Sequence, residues 1–135
     1  MIAALPPEML LGATLRENEY GWNLSAFPAA LAAAQRFDLA CLGGQIEFRV
    51  DGSIAEAYWC NADSSERIPE EPWREYVKRS CKEVSDKFTE LVRGLDVPKL
   101  LAEWPRLSAL LQGRDPEALV VFVAYFVTEQ EYVAL

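Results

Sequence analysis

The chain has 135 residues, 51% apolar and 25% charged, the balance of an ordinary folded domain rather than a disordered, collagenous or coiled-coil one. With 21 acidic residues against 13 basic ones its formal charge is −8, which argues against nucleic acid or anionic lipid as a partner and suits a basic protein, or simply solubility. The absence of histidine excludes Ser-His-Asp and Cys-His triads and removes the commonest zinc ligand.

No repeat, low-complexity stretch or Gly/Ser linker divides the sequence, so a single domain over 1–135 is expected. The longest apolar run, Leu119 to Val127, falls far short of the roughly 20 residues that span a bilayer. The opening Met1-Ile2-Ala3-Ala4-Leu5-Pro6-Pro7 lacks the basic residues of a secretory signal, and the expected location is the cytoplasm, with no membrane contact. Cys41, Cys60 and Cys81 are odd in number and widely spaced, and read as small apolar fillers rather than a disulfide framework, metal site or nucleophile.

In chain order, Pro7 suits the first turn of a short helix through Glu8, Met9, Leu10 and Leu11. Glu17 to Trp22 reads as a polar connection. Asn23 or Ser25 is then placed to cap a helix over about 25–37, with Pro28 in its first turn, Phe27, Leu31 and Ala34 on one stripe and Ala30, Ala33 and Phe37 beside it. After Leu39-Ala40-Cys41-Leu42 and the pair Gly43-Gly44, residues Gln45 to Val50 alternate apolar and polar as a half-buried strand. Asp51-Gly52 supplies a tight turn, and Ser53 to Cys60 returns as a second strand with Ile54 and Tyr58 inward. Because a strand follows the glycine pair, it reads as a tight link or bulge and not as a phosphate cradle.

Asn61 to Glu71 is a polar loop in which Asp63, Glu66, Glu70 and Glu71 face a single Arg67. From Pro72 a helix over about 72–93 is expected, its apolar face set by Trp73, Tyr76, Val77, Val84, Phe88, Leu91 and Val92 and its end by Gly94. Its outer face offers the four-apart pairs Glu75 with Arg79, Glu83 with Lys87 and Lys82 with Asp86. Val97 to Leu111 predicts a short helix interrupted near Pro105. Leu119 to Val127, rich in Val and aromatics, predicts a final buried strand, although periodicity alone also allows a buried helix. The fold class that follows is α+β: a small, mainly antiparallel sheet with a central hairpin (about 45–60) packed against the helices 25–37 and 72–93.

No catalytic, cofactor-binding or metal-ligating residue is indicated. The candidate partner-binding residues are Trp59, Asp63, Glu66, Glu70, Glu71 and Glu75, an acidic stretch that would steer a basic partner, although carboxylates at a helix start also serve its dipole. The four tryptophans, Trp22, Trp59, Trp73 and Trp104, read first as core, with Trp59 and Trp73, which flank this stretch, also placed to face a partner.

The order Leu42-Gly43-Gly44, Asp51-Gly52, Tyr58-Trp59-Cys60, then Glu71-Pro72-Trp73 with Tyr76, Val77 and Ser80 resembles the Immunity protein 40 family of bacterial polymorphic toxin systems. The likeness runs from about Tyr20 to Lys87; Gln45 stands where an acidic residue is expected, and the C-terminal third lies outside it. The resemblance implies an α+β protein without enzymatic activity that binds and blocks a toxin delivered by neighbouring bacteria, often an enzyme with a basic site. It assigns no role to individual residues. Two other classes fit the residues: a self-associating structural or regulatory adaptor, and a small enzyme working with carboxylates alone, which needs two acids whose pKa values are driven apart.

Overall fold

Val120–Val127 decides the architecture. Seven of its eight residues are buried, and its β-branched and aromatic side chains form a strand rather than a helix. In the computed structural model, which describes residues 4–135, this strand (β5) lies in the middle of one antiparallel sheet. Met1-Ile2-Ala3, the start of the segment read against a secretory signal, lie outside the described residues. The other strands are β1 (Ala13–Arg16), β2 (Glu19–Asn23), β3 (Ala40–Val50) and β4 (Ser53–Asp63), and the order across the sheet is β1-β2-β5-β3-β4. Helices α1 (Phe27–Arg36) and α2 (Trp73–Arg93) pack on one face, followed by the short α3 (Val97–Leu101), α4 (Pro105–Leu110) and α5 (Glu129–Val133). The class is α+β, and none of the helices among the described residues is long and apolar enough to cross a membrane.

The main core is aromatic. Phe27 of α1 and Phe88 of α2 meet over Phe122 of β5 at ring separations of 4.9, 4.6 and 5.0 Å, and Trp22 packs edge-on against Phe126 at 5.5 Å. The alanines Ala30, Ala33 and Ala34 are buried, as the stripe on α1 predicts, whereas Phe37 ends the helix and is exposed.

Several local expectations are corrected. Glu17 to Trp22 is not merely a polar connection: Glu17 and Asn18, both at positive φ, turn β1 into β2, and Trp22 is fully buried with its Nε1 donating to Met9 O at 2.7 Å. Both strands are so short that their alternation carries little signal. The opening helix shortens to a 3₁₀ turn over Pro7–Met9. Neither Asn23 nor Ser25 caps α1; Ala26 precedes it with no side-chain bond, and Pro28 removes one of the amide donors a cap would satisfy. Tyr58 does not face inward but is 67% exposed, and Ile54 is only partly buried. Ala55 and Ala57, opposite Phe48 and Ile46, take the inward positions, because side chains alternate faces with a period of two.

The glycine pair lies inside β3 as a bulge. Gly43 has φ +120° where the register to β5 slips, and Gly44 sits so close to β5 that a Cβ there would meet Val123 O at 1.9 Å. Buried Ser80 of α2 serves this irregularity: its hydroxyl accepts from Cys41 N–H at 3.2 Å and donates to Val77 O at 3.1 Å, so the backbone donor beside the bulge is satisfied. At the other end of β3, Asp51 (φ 45°) and Gly52 (φ 84°) form the expected tight turn, pinned by two Arg114 bonds to the Asp51 carboxylate.

Helix α2 buries Tyr76, Val77, Ser80, Cys81, Val84 and Phe88 and ends at Gly94 as predicted. On its outer face Lys82 pairs with Asp86, but Arg79 reaches Glu71 and Glu83 rather than Glu75, and Lys87 donates to Asp63 O. The break between α3 and α4 falls just before Pro105.

Candidate functional site

The register between β3 and β4 jumps from Gln45 opposite Asn61 to Ile46 opposite Ala57, which leaves Tyr58, Trp59 and Cys60 without partners. Asn61 closes this three-residue bulge by donating from Nδ2 to Tyr58 O at 2.9 Å. A bulge on an edge strand re-aims side chains, and here it turns two large aromatics out of the sheet. Trp59 is 50% exposed, meets the Tyr58 ring edge-on at 5.2 Å, and stacks on Trp104 at 5.7 Å with 17° between the ring planes. Beside it lies a shallow cleft lined in part by Leu91, Leu95, Asp96, Lys99 and Glu103. The Cys60 thiol in this cleft is pushed up by burial and by the Glu103 carboxylate, the reverse of what a nucleophile needs. The buried thiols of Cys41 and Cys81 are likewise pushed up, chiefly by burial.

The acidic loop behaves in two ways. Asp63, Glu66, Glu70 and Glu75 are exposed, and Glu75 lies in the first turn of α2, where the helix dipole favours it. Glu71 is committed elsewhere: Arg79 donates to both of its oxygens at 2.9 and 2.7 Å, and Ile68 N–H adds a third bond. The same guanidinium donates to Glu66 O, while Arg67 reaches Glu71 O and Glu129 and stacks over Trp73. Ser65 donates to Glu83, and Trp73 Nε1 to Asp38 O. The loop is therefore clamped to α2 and α5, and Glu71 and Trp73 are parts of the clamp. Trp59 shares its cleft with Asp96 and Glu103.

Arg79 holds the Glu71 carboxyl down at about 2, well below its ordinary value of about 4.3. A depressed acid contributes stability above its unfolded pKa and loses it as the pH falls towards the folded value. Amide exchange in residues 64–72 is thus expected to quicken as the pH drops from about 4.3 towards 2, and Glu71→Gln is expected to show fast exchange throughout. Protection in the wild type that stays constant across this range, after correction for intrinsic exchange, would dismiss the clamp.

On the sheet face turned away from Phe122 and the helices, a second acidic group is assembled. A carboxylate oxygen of each of Glu19, Glu47 and Glu56 lies within 4.8 Å of the others. Glu47 and Glu56 are directly opposed in the β3–β4 register, and Glu19 arrives from β2, its Oε2 accepting from the Tyr125 hydroxyl of β5. Glu47 is 1% exposed; its Oε2 accepts from Arg49 Nε, and its Oε1 has no partner among the described residues. Arg49 continues across the sheet to Thr14 O, Thr14 Oγ1 and Glu19 O, passing over Gly21, where a Cβ would lie 3.1 Å from its guanidinium carbon. Burial pushes the Glu47 carboxyl up against the pull of Arg49, and burial and Glu19 push the Tyr125 hydroxyl up.

None of these three glutamates was singled out in the sequence. The Glu47–Glu56 pairing was nonetheless legible, because a two-residue Asp51-Gly52 turn sets 47 opposite 56. Glu19 was hidden with the strand that carries it.

Fold and site together define an α+β domain with an aromatic bulge on one sheet edge and a carboxylate cluster on its helix-free face. Comparison with family models, with curated proteins and with solved structures finds no match for the chain.

Proposed function

We propose that the domain is a non-catalytic binding protein that captures a basic protein partner and blocks it. The observation that carries this reading is the β4 bulge, which displays Tyr58 and Trp59 among exposed carboxylates. Exposed tyrosine and tryptophan are the side chains that anchor protein interfaces, because they bury large area at little conformational cost. Trp104 behind Trp59 fixes the ring before the partner arrives. Asp63, Glu66 and Glu103 are exposed, and the net charge of −8 gives the whole surface the sign that speeds encounter with a basic partner. That the partner is a toxin rests on the resemblance of Leu42–Ser80 to the Immunity protein 40 family.

Self-association through the β4 edge is less well served. A bulge interrupts the ladder that a second copy of β4 would have to extend.

The test is co-expression with the product of the adjacent gene. A stable complex and protection of cells from that product are expected; a chain that neither binds it nor protects would overturn the reading.

A further inference from the structure

We propose that Glu19, Glu47 and Glu56 hold a divalent cation of the calcium and magnesium class on the open face of the sheet. An acidic cluster alone would not carry this, since exposed carboxylates are common on a protein of charge −8. The decisive feature is Glu47 Oε1: an acceptor on a side chain that is 1% exposed and has no donor among the described residues. Buried polar atoms are nearly always satisfied, and an orphan points to a missing ion or water.

The geometry fits such an ion. Oxygens on a shell about 2.4 Å from a calcium ion are at most about 4.8 Å apart; one oxygen of each carboxylate lies within 4.8 Å of the others, so a small inward rotation of the exposed Glu56 side chain suffices to bring all three onto such a shell. Each of the two less exposed ligands has its second oxygen fixed, Glu47 Oε2 by Arg49 and Glu19 Oε2 by Tyr125, leaving one oxygen of each directed by a neighbour's hydrogen bond. Glu56, on the exposed side, completes the set and leaves the remaining coordination positions to water.

Charge gives the same answer. Glu47 and Glu56 are opposed in register, an arrangement that destabilises a sheet, and the Arg49 guanidinium on Glu47 offsets only one of the charges. Three carboxylates and the Arg49 guanidinium leave two net negative charges, which a divalent ion balances. All-oxygen ligands select a hard cation over zinc or copper.

The site is independent of the partner-binding reading, and its test uses metal ions alone. Titration of the full chain with Ca²⁺, Mg²⁺ and Mn²⁺, followed by calorimetry and by thermal unfolding, is expected to show saturable one-site binding and a raised melting temperature for at least one of them. Glu56→Gln, on the exposed side, is expected to fold and to bind at least about 10-fold more weakly, and Glu47→Gln to do the same. If Glu47→Gln fails to fold, Glu56→Gln decides. Absence of saturable binding by all three ions at up to about tenfold above the millimolar range of the weakest protein calcium sites, or undiminished binding by Glu56→Gln, would overturn the proposal.

Discussion

Gly44→Ala is expected to abolish the native fold. A methyl group at this position would sit 1.9 Å from Val123 O, 2.8 Å from Ala124 Cα and 2.8 Å from the Phe122 ring. The first two contacts are backbone, so no rotamer change relieves them. Relief requires β3 and β5 to part at the centre of the sheet, beside the ring cluster of Phe27, Phe88 and Phe122. A cost well above about 4 kcal/mol follows, comparable with the roughly 5–15 kcal/mol by which domains of this kind are stable. Gly94→Ala is the control: its Cβ would meet nothing closer than Glu90 O at 3.8 Å, and stability should change little. Urea unfolding followed by tryptophan fluorescence reads both. A cooperative transition for Gly44→Ala at the wild-type midpoint would show that the close approach is not needed.

The second large effect concerns binding. Replacement of Tyr58 and Trp59 by alanine is expected to weaken the complex with the basic partner by at least about 30-fold, the loss of one interface anchor worth about 2 kcal/mol. The fold should survive, because both rings lie largely outside the core; losing the stack on Trp104 costs about 0.5–1.5 kcal/mol. Charge reversal works on another quantity. Glu66→Lys with Glu103→Lys should slow association and flatten its dependence on salt while leaving dissociation almost unchanged. A double alanine variant that binds within threefold of the wild type would move the interface away from the bulge.

How far the sequence revealed this molecule depends on which residues are asked. The α2 stripe from Trp73 to Phe88 and the turn at Asp51-Gly52 are strong local signals, and both elements form where those signals lie. The strand at Val120–Val127 was legible as buried, but its place in the middle was not, since strand order is a matter of long-range pairing. Among the candidate site residues, Trp59 is exposed through an irregularity in register that no alternation pattern encodes. Glu71 stands out in the sequence by its charge, and its partner Arg79, eight residues away, takes that charge up. The acidic cluster escaped notice because Glu19, Glu47 and Glu56 come together only when β2, β3 and β4 lie in one sheet.

The place of β5 bears on how the chain reaches its folded state during synthesis. The strands β1 and β2 emerge early and can form one hairpin, and β3 and β4 another, but no backbone ladder joins them until Val120–Val127 is made. Until then two half-sheets wait with unpaired, apolar inner margins, each a template for the wrong neighbour. Insertion of the last strand between them must bring together residues about a hundred positions apart, as Gly21 and Val123 are, so folding should be slow for a domain of this size. A nascent chain stalled before β5 would be a natural client for chaperones.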